Sequence, residues 1–266
     1  MADDLRLYML DCGTLKCKKE SAFLNEGVGE DFEIPVQWYV ITHAKGTLII
    51  DGANPPQVVD DPVGHWGEVA HDFWPVMSAD DLCTRQLEKL TIDPASVTYI
   101  LQSHMHIDHT GAVACIDRFS NAKVVATRAE FEWAHTHGHV PASGYTLADF
   151  DRPNVQWELL EAGDDGWDVF SDGVIRCWFT PGHSAGHMSF EVTLPADGAL
   201  VLAIDAAYTL DHWHSRALPG AMVSINETQR SVEKLRRIAA RSNAQPVPGH
   251  DPVAGPTFKK APEFYC

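Results

Sequence analysis

Three histidines and an aspartate stand within six residues in the stretch Ser103-His104-Met105-His106-Ile107-Asp108-His109-Thr110-Gly111. Neutral imidazole and carboxylate are the ligand types that bind zinc and similar divalent ions. A lone histidine is ordinarily a satisfied core or surface residue, but four candidate ligands directly after an apolar run are different. Left buried and unpaired, each such group would cost on the order of several kcal/mol. The run before them, Val97-Thr98-Tyr99-Ile100-Leu101, is short, β-branched and aromatic, which predicts a buried strand. Its carboxyl end delivers the cluster, and in sheets covered by helices that end is where sites are built. Alternation places His104 and His106 on one side. After the turn that must follow, Asp108 and His109 face a second ion.

The same arrangement recurs further along. Apolar runs over residues 174–179, 199–204 and 245–247 lead to Thr180-Pro181-Gly182-His183, to Asp205 and to Pro248-Gly249-His250-Asp251. Four strand ends, each delivering a His or an Asp, are expected to converge on one edge of a layered α/β fold.

The remaining pattern supplies the frame. Residues 5–10 alternate as a strand, and a glycine- and charge-rich stretch covers 13–33. Residues 35–42 and 47–51 form a hairpin around Ala44-Lys45-Gly46. Ser78 caps a helix carrying Cys83, Leu87 and Leu90, a helix begins near Thr110, and residues 122–126 and 129–134 predict a strand and a short helix. Residues 189–194 predict a further strand. Asn226 is expected to cap a helix with the apolar stripe Val232, Leu235 and Ile238. His135, His137 and His139 alternate without a carboxylate partner and read as a solvated helix end. The segment 53–77 is irregular and rich in proline and glycine, and it carries Phe73, Trp74 and Met77. Such a segment either lines a site or packs as a satellite cluster. Residues 143–168 are polar and turn-rich.

The chain has 266 residues, with no linker, composition break or internal repeat, and reads as a single domain over 1–266. At 45% hydrophobic and 21% charged it has ordinary globular composition. A net charge of −17 argues against nucleic acid and anionic membrane as partners. No apolar run approaches a membrane span. Six scattered cysteines without a C-x-x-C pair predict reduced thiols in the cytoplasm. The acidic start, Met1 to Asp4, shows no secretory signal.

His104-x-His106-x-Asp108-His109, His183, Asp205 and His250 together resemble the metallo-β-lactamase superfamily, in the same order along most of the chain. Within it, Ile34-Pro35-Val36, Pro181-Gly182-His183-Ser184-x-Gly186-His187, Ile204-Asp205-Ala206-x-Tyr208-Thr209 and Gly249-His250-Asp251 resemble the quorum-quenching N-acyl-homoserine lactonases. The resemblance implies an αββα sandwich. It also implies two zinc ions, with other divalent transition metals able to replace them. One ion would be held by His104, His106 and His183, the other by Asp108, His109 and His250, with Asp205 bridging. Tyr208 matches the family's substrate-facing tyrosine, Asp51 would lie behind the ligands, and a homodimer is implied. Asp51-Gly52-Ala53 departs from the family's Asp-Thr-Gly, and segment 53–77 differs from the lactonases in detail, which bears on acyl-chain preference.

The chemistry follows. Two ions bridged by a carboxylate would hold a hydroxide at neutral pH. That metal-bound hydroxide would attack the lactone carbonyl, with one ion and Tyr208 stabilising the oxyanion. The other ion would take the leaving ring oxygen, and Asp108 would pass it a proton. Phe73, Trp74 and Met77 are the expected acyl-chain contacts. His187 is expected behind the ligands, while His212 and His214 fit either the mouth or a plain surface loop. Rival readings are a lactonase of another small lactone such as 4-pyridoxolactone, a thioesterase of the glyoxalase II type, a diiron flavoprotein relative, and a metal-binding protein without turnover. No basic cluster suits glutathione carboxylates, and His106 stands where the diiron proteins carry Glu.

Overall fold

The computed structural model describes residues 5–140 and 142–266, so the acidic start lies outside the described residues. The strands are β1 (Arg6–Lys18), β2 (Asp31–His43), β3 (Gly46–Ile50), β4 (Trp74–Val76), β5 (Val97–Leu101), β6 (Lys123–Thr127), β7 (Trp157–Leu160), β8 (Trp167–Asp168), β9 (Ile175–Phe179), β10 (Met188–Leu194), β11 (Gly198–Ile204) and β12 (Gln245–Pro248). The helices are α1 (Lys19–Ala22), α2 (Pro62–Trp66), α3 (Cys83–Lys89), α4 (Gly111–Ala114), α5 (Arg128–His137), α6 (Leu147–Phe150), α7 (Leu210–Trp213) and α8 (Ile225–Ser242). One sheet has the order β4-β1-β2-β3-β5-β6-β7, the other β12-β11-β10-β9-β8.

Period-two alternation builds the layers. Leu7, Met9, Tyr39, Ile41, Leu48, Ile50 and Leu101 face the second sheet and meet Phe190, Leu200, Leu202 and Val247 in one buried cluster. The alternate residues of the first sheet, among them Val36, Trp38, Val40, Ile49 and Ile100, face the other way and pack under Leu87, Val113, Ala134 and Phe150. On the far side, Val201 and Ala203 take the α8 stripe of Val232, Leu235 and Ile238. The order of layers is therefore helix, sheet, sheet, helix, as expected.

Several local expectations are corrected. The glycine- and charge-rich stretch 13–33 is partly strand: β1, expected over 5–10, continues to Lys18 past a bulge between Asp11 and Thr14, and pairs with β2 from Asp31 onward. Segment 53–77 is ordered by short helices and by β4, which adds to β1 through Thr14–Val76, Leu15–Pro75 and Lys16–Trp74. The turn-rich region 143–168 hides α6 and the edge strand β7, whose sequence Trp-Glu-Leu-Leu lacks a clean alternation. Ser224, not Asn226, caps α8: its hydroxyl accepts from Glu227 N–H at 3.3 Å. The four site-bearing strand ends come from both sheets, β5 from the first and β9, β11 and β12 from the second. Met188 N–H donates to Ser103 O at 2.9 Å and joins the two sheets at that level.

Candidate metal centre

His104 and His106 sit in the turn after β5, His183 in the turn after β9, Asp205 immediately after β11 and His250 just beyond β12. Ile204, which precedes Asp205, has φ of 49°, a region costly for a β-branched residue. Its own side chain is held between the sheets, so the strained backbone aims Asp205 outward from the strand end. Close approach of β12 requires Gly249, because a Cβ there would fall 2.6 Å from Ile204 O.

Three groups of ligand atoms lie within 4.8 Å of one another: His104, His106 and His183; His104, His109 and Asp205; and Asp108, His109 and His250. His183 Nε2 stands 2.8 Å from His106 Nδ1 and 3.1 Å from His104 Nε2. Asp205 turns Oδ2 to His183 Nε2 at 3.2 Å and Oδ1 to His250 Nε2 at 3.1 Å and His109 Nε2 at 3.3 Å. Asp108 approaches His109 Nε2 at 3.6 Å and His250 Nε2 at 3.7 Å.

The opposite ring nitrogens settle which atoms carry lone pairs. His183 Nδ1–H donates to Ala221 O at 3.0 Å, and His250 Nδ1–H to Pro35 O at 2.8 Å. His109 Nδ1–H donates to Asp51 Oδ2 at 2.9 Å. Ser103 Oγ donates to Asp51 Oδ2 at 2.8 Å and so accepts from His104 Nδ1–H at 2.9 Å. The inward Nε2 atoms of His104 and His183 are thus acceptors facing each other and Asp205 Oδ2, and buried His109 Nε2 and Asp205 Oδ1 have no hydrogen-bond partner. Such a donor set fits divalent cations, whose charge resolves the confrontation. Burial, reinforced by neighbouring imidazoles, holds His106 and His183 down at about 3 and His104 also well below its usual range. On the other side burial opposes charge on His109 and His250, but the carboxylates of Asp108 and Asp205 outweigh it and raise both. Burial pushes Asp205 up, and His250, His109 and His183 more than offset that, leaving it well below the usual carboxylate range.

His187 lies behind these atoms. It donates from Nδ1 to Thr180 Oγ1 at 2.8 Å and accepts Asp205 N–H at Nε2, 3.1 Å away. Tyr208 sets its ring between His183 and His250 and its hydroxyl 3.2 Å from His183 Nδ1. Burial, then the charges of Asp205 and Asp108, raise that phenol well above its usual value, so it remains a donor. A cavity of about 190 Å³ opens onto His106, Asp108, His183, Asp205, Tyr208 and His250.

Of the three apolar residues expected near an acyl chain, Phe73 lines this cavity beside Leu15, Ile34 and Val69. Trp74 faces a neighbouring surface groove and Met77 packs against the outer-face core. His135 and His137 end α5, bonded to Phe131 O and Trp133 O, half-buried against their own helix rather than fully solvated. His212 is at neither mouth nor surface: it is buried against Phe23 and Tyr208 and bonded to Thr209. His214 is exposed.

Glu130 carries no sequence signal of a place at the centre. Thr127-x-x-Glu130 has the form of a capping box, and Thr127 Oγ1 does accept Glu130 N–H. The Glu130 carboxylate goes elsewhere, to Met105 N–H, Ser184 Oγ–H and Gly186 N–H.

Comparison with known proteins agrees with this geometry. The model of the metallo-beta-lactamase superfamily matches residues 32–241. The N-acyl homoserine lactonase AttM of Azorhizobium caulinodans is 52% identical over 98% of this chain and 99% of its own length. That of Agrobacterium fabrum is 50% identical over 99% of each. A solved N-acyl homoserine lactone hydrolase, with N-hexanoyl-L-homoserine at its catalytic metal centre, shares the fold with a TM-score of 0.86 at 23% identity, covering 98% of this chain and 99% of its own. The described residues contain no helix long and apolar enough to cross a membrane. With its two sheets, its converging histidines and half its residues in common with AttM, the chain belongs to the metallo-beta-lactamase superfamily and, within it, to the N-acyl homoserine lactonases.

Proposed function

We propose that this chain is a quorum-quenching hydrolase that opens the lactone ring of N-acyl homoserine lactones, working in the cytoplasm with two zinc ions. The observation that carries the reading is Asp205, whose two oxygens face two separate sets of imidazoles at the floor of a mainly apolar cavity. His104, His106 and His183 would hold one ion and Asp108, His109 and His250 the other, with Asp205 between. Bound there, the ions supply an acidified water and an electrophile for the carbonyl oxygen.

The chain's own residues do the rest. Leu15, Ile34, Val69 and Phe73 hold the acyl chain against an apolar wall and orient the ring toward Asp205. Tyr208 donates its hydroxyl hydrogen to the oxygen on which charge develops. Asp108, on the cavity wall, carries a proton to the ring oxygen as its bond to the carbonyl carbon breaks. The product is an N-acyl homoserine carboxylate, and one proton is released per turnover. All six cysteines are free, which suits a reducing compartment.

The test is proton release and product mass with butanoyl- to dodecanoyl-homoserine lactones beside 4-pyridoxolactone and a plain γ-lactone. Ring opening of the acyl series, with the mass of one water gained, supports the reading. Opening only of 4-pyridoxolactone or the plain lactone rejects it.

A further inference from the structure

Glu130 is a fully buried carboxylate on α5, outside the ligand sets. Its Oε1 accepts Met105 N–H at 3.0 Å, and Met105 lies between His104 and His106. Its Oε2 accepts Ser184 Oγ–H at 2.6 Å and Gly186 N–H at 3.0 Å, just past His183. One oxygen therefore serves each of two turns that are nearly eighty residues apart in the chain. The fit leaves no slack. A Cβ on Gly186 would fall 2.1 Å from Glu130 N and 2.2 Å from Thr127 Oγ1, and Thr127 Oγ1 donates to Gly186 O at 2.7 Å.

The opposite half of the centre has a different support. Asp51 accepts Ser103 N–H, Ser103 Oγ–H and His109 Nδ1–H, while His250 is held by Pro35 O. None of the three Glu130 contacts reaches Asp108, His109 or His250.

We infer that Glu130 is a positioning residue dedicated to one of the two metal positions, setting the distance between the His104–His106 turn and the His183 turn. The inference rests on the ligand sets proposed above. It gives the His183 side a buried carboxylate of its own, Glu130, whereas Asp51 holds His109 directly and reaches His104 through Ser103. A carboxylate suits the role because all three partners are donors. A glutamine would turn an N–H₂ group toward at least one of them, leaving a buried donor facing a donor.

The test is zinc binding, measured by competition with a chromophoric chelator and by metal content after dialysis. Wild type should hold two ions. Glu130→Gln should retain one ion at wild-type affinity and bind the other at least about 10-fold more weakly, the usual scale for losing a group that orients ligands. Position is identified by pairing. Glu130→Gln with His250→Ala should hold neither ion tightly, whereas Glu130→Gln with His183→Ala should still hold one. Ser184→Ala, which removes one contact and leaves the helix cap intact, should weaken the same ion by a smaller factor and carries the test if the Glu130 variant does not fold. Equal weakening of both ions, or unchanged affinities in Ser184→Ala and Glu130→Gln, would overturn the inference. A wild-type chain that binds no zinc would overturn the ligand sets themselves, and the inference with them.

Discussion

His65 Nε2 lies 2.7 Å from Asp149 Oδ1, and that contact ties the segment over the cavity to the wall facing it. His65 is on α2, a few residues before Val69 and Phe73, and Asp149 is on α6, just after Ser143 and Gly144 at the cavity rim. The other Asp149 oxygen accepts Thr110 Oγ–H at 3.0 Å, directly after His109. Burial raises the Asp149 carboxyl, and His65 is the chief group opposing that. Without His65 a fully buried carboxylate keeps Thr110 as its side-chain partner. Replacement by alanine is expected to lower unfolding free energy by about 2 kcal/mol, the scale for an abandoned buried polar group. Val69 and Phe73 lose their anchor, so KM for the lactone should rise more than kcat falls. Denaturant titration and steady-state kinetics check both.

Phe73 and Trp74 are neighbours in the chain with opposite destinations. Phe73→Ala should reduce kcat/KM for long-chain lactones by about 10-fold or more, from the apolar contact removed, and affect butanoyl substrate less. Trp74 is 43% exposed and off the cavity, so Trp74→Ala should leave the chain-length profile unchanged. A profile altered only by the Trp74 variant would show that the acyl chain takes another route.

Tyr208→Phe removes the hydroxyl proposed to donate to the reacting carbonyl and leaves the ring packing between His183 and His250. The expected loss is in kcat, on the order of 10²-fold, with zinc content intact. Because burial raises the phenol, the wild-type rate should show no alkaline limb from Tyr208 near pH 10, the usual range of a tyrosine. Full activity in the phenylalanine variant would assign the donor role elsewhere.

Chelation should expose the cost of acceptors facing acceptors. Dialysis against a strong chelator is expected to lower Tm, and zinc should restore it. With free zinc at about 1,000 times its Kd the gain per site is about 4 kcal/mol. A Tm indifferent to zinc contradicts the proposed ligand sets.

Acid should destabilise the fold partly through His212. Burial holds its imidazole down at about 4, against about 6.5 in an unfolded chain. Between those values the unfolded state binds the extra proton. The His212 contribution is therefore complete above about pH 6.5 and is lost as pH falls toward 4, at up to about 1.4 kcal/mol per pH unit. His212→Gln should flatten the dependence of the urea midpoint on pH across that window. An unchanged slope would mean that His212 takes up its proton alike in the folded and unfolded states.

The cluster of candidate ligands was legible because residue type and spacing carry it, and the fold brings those residues together: a strand that ends in His-x-His-x-Asp-His has few other uses. The strands and the α8 stripe were legible from alternation and helical spacing, and the αββα order from the resemblance to the superfamily. What escaped the sequence depends on pairings far apart in the chain. Glu130 imitates a helix cap, and only the fold brings Met105 and Ser184 to it. Asp149 meets His65 across 84 positions. His212 looks like a loop residue until Phe23 covers it. Segment 53–77 gains its order from β4 joining the bulged half of β1, which no local pattern announces.

The ligands divide between the sheets, with His104 to His109 following β5 and His183, Asp205 and His250 following strands of the second sheet. An ion held by the proposed ligands would be gripped from both sides and would work as a clasp. The sheets cannot part at this end while it keeps all its bonds, and it cannot leave by ordinary exchange without some of them opening. The escape of a bound ion into excess chelator would then report how often the sheets part at this end, read without unfolding the protein.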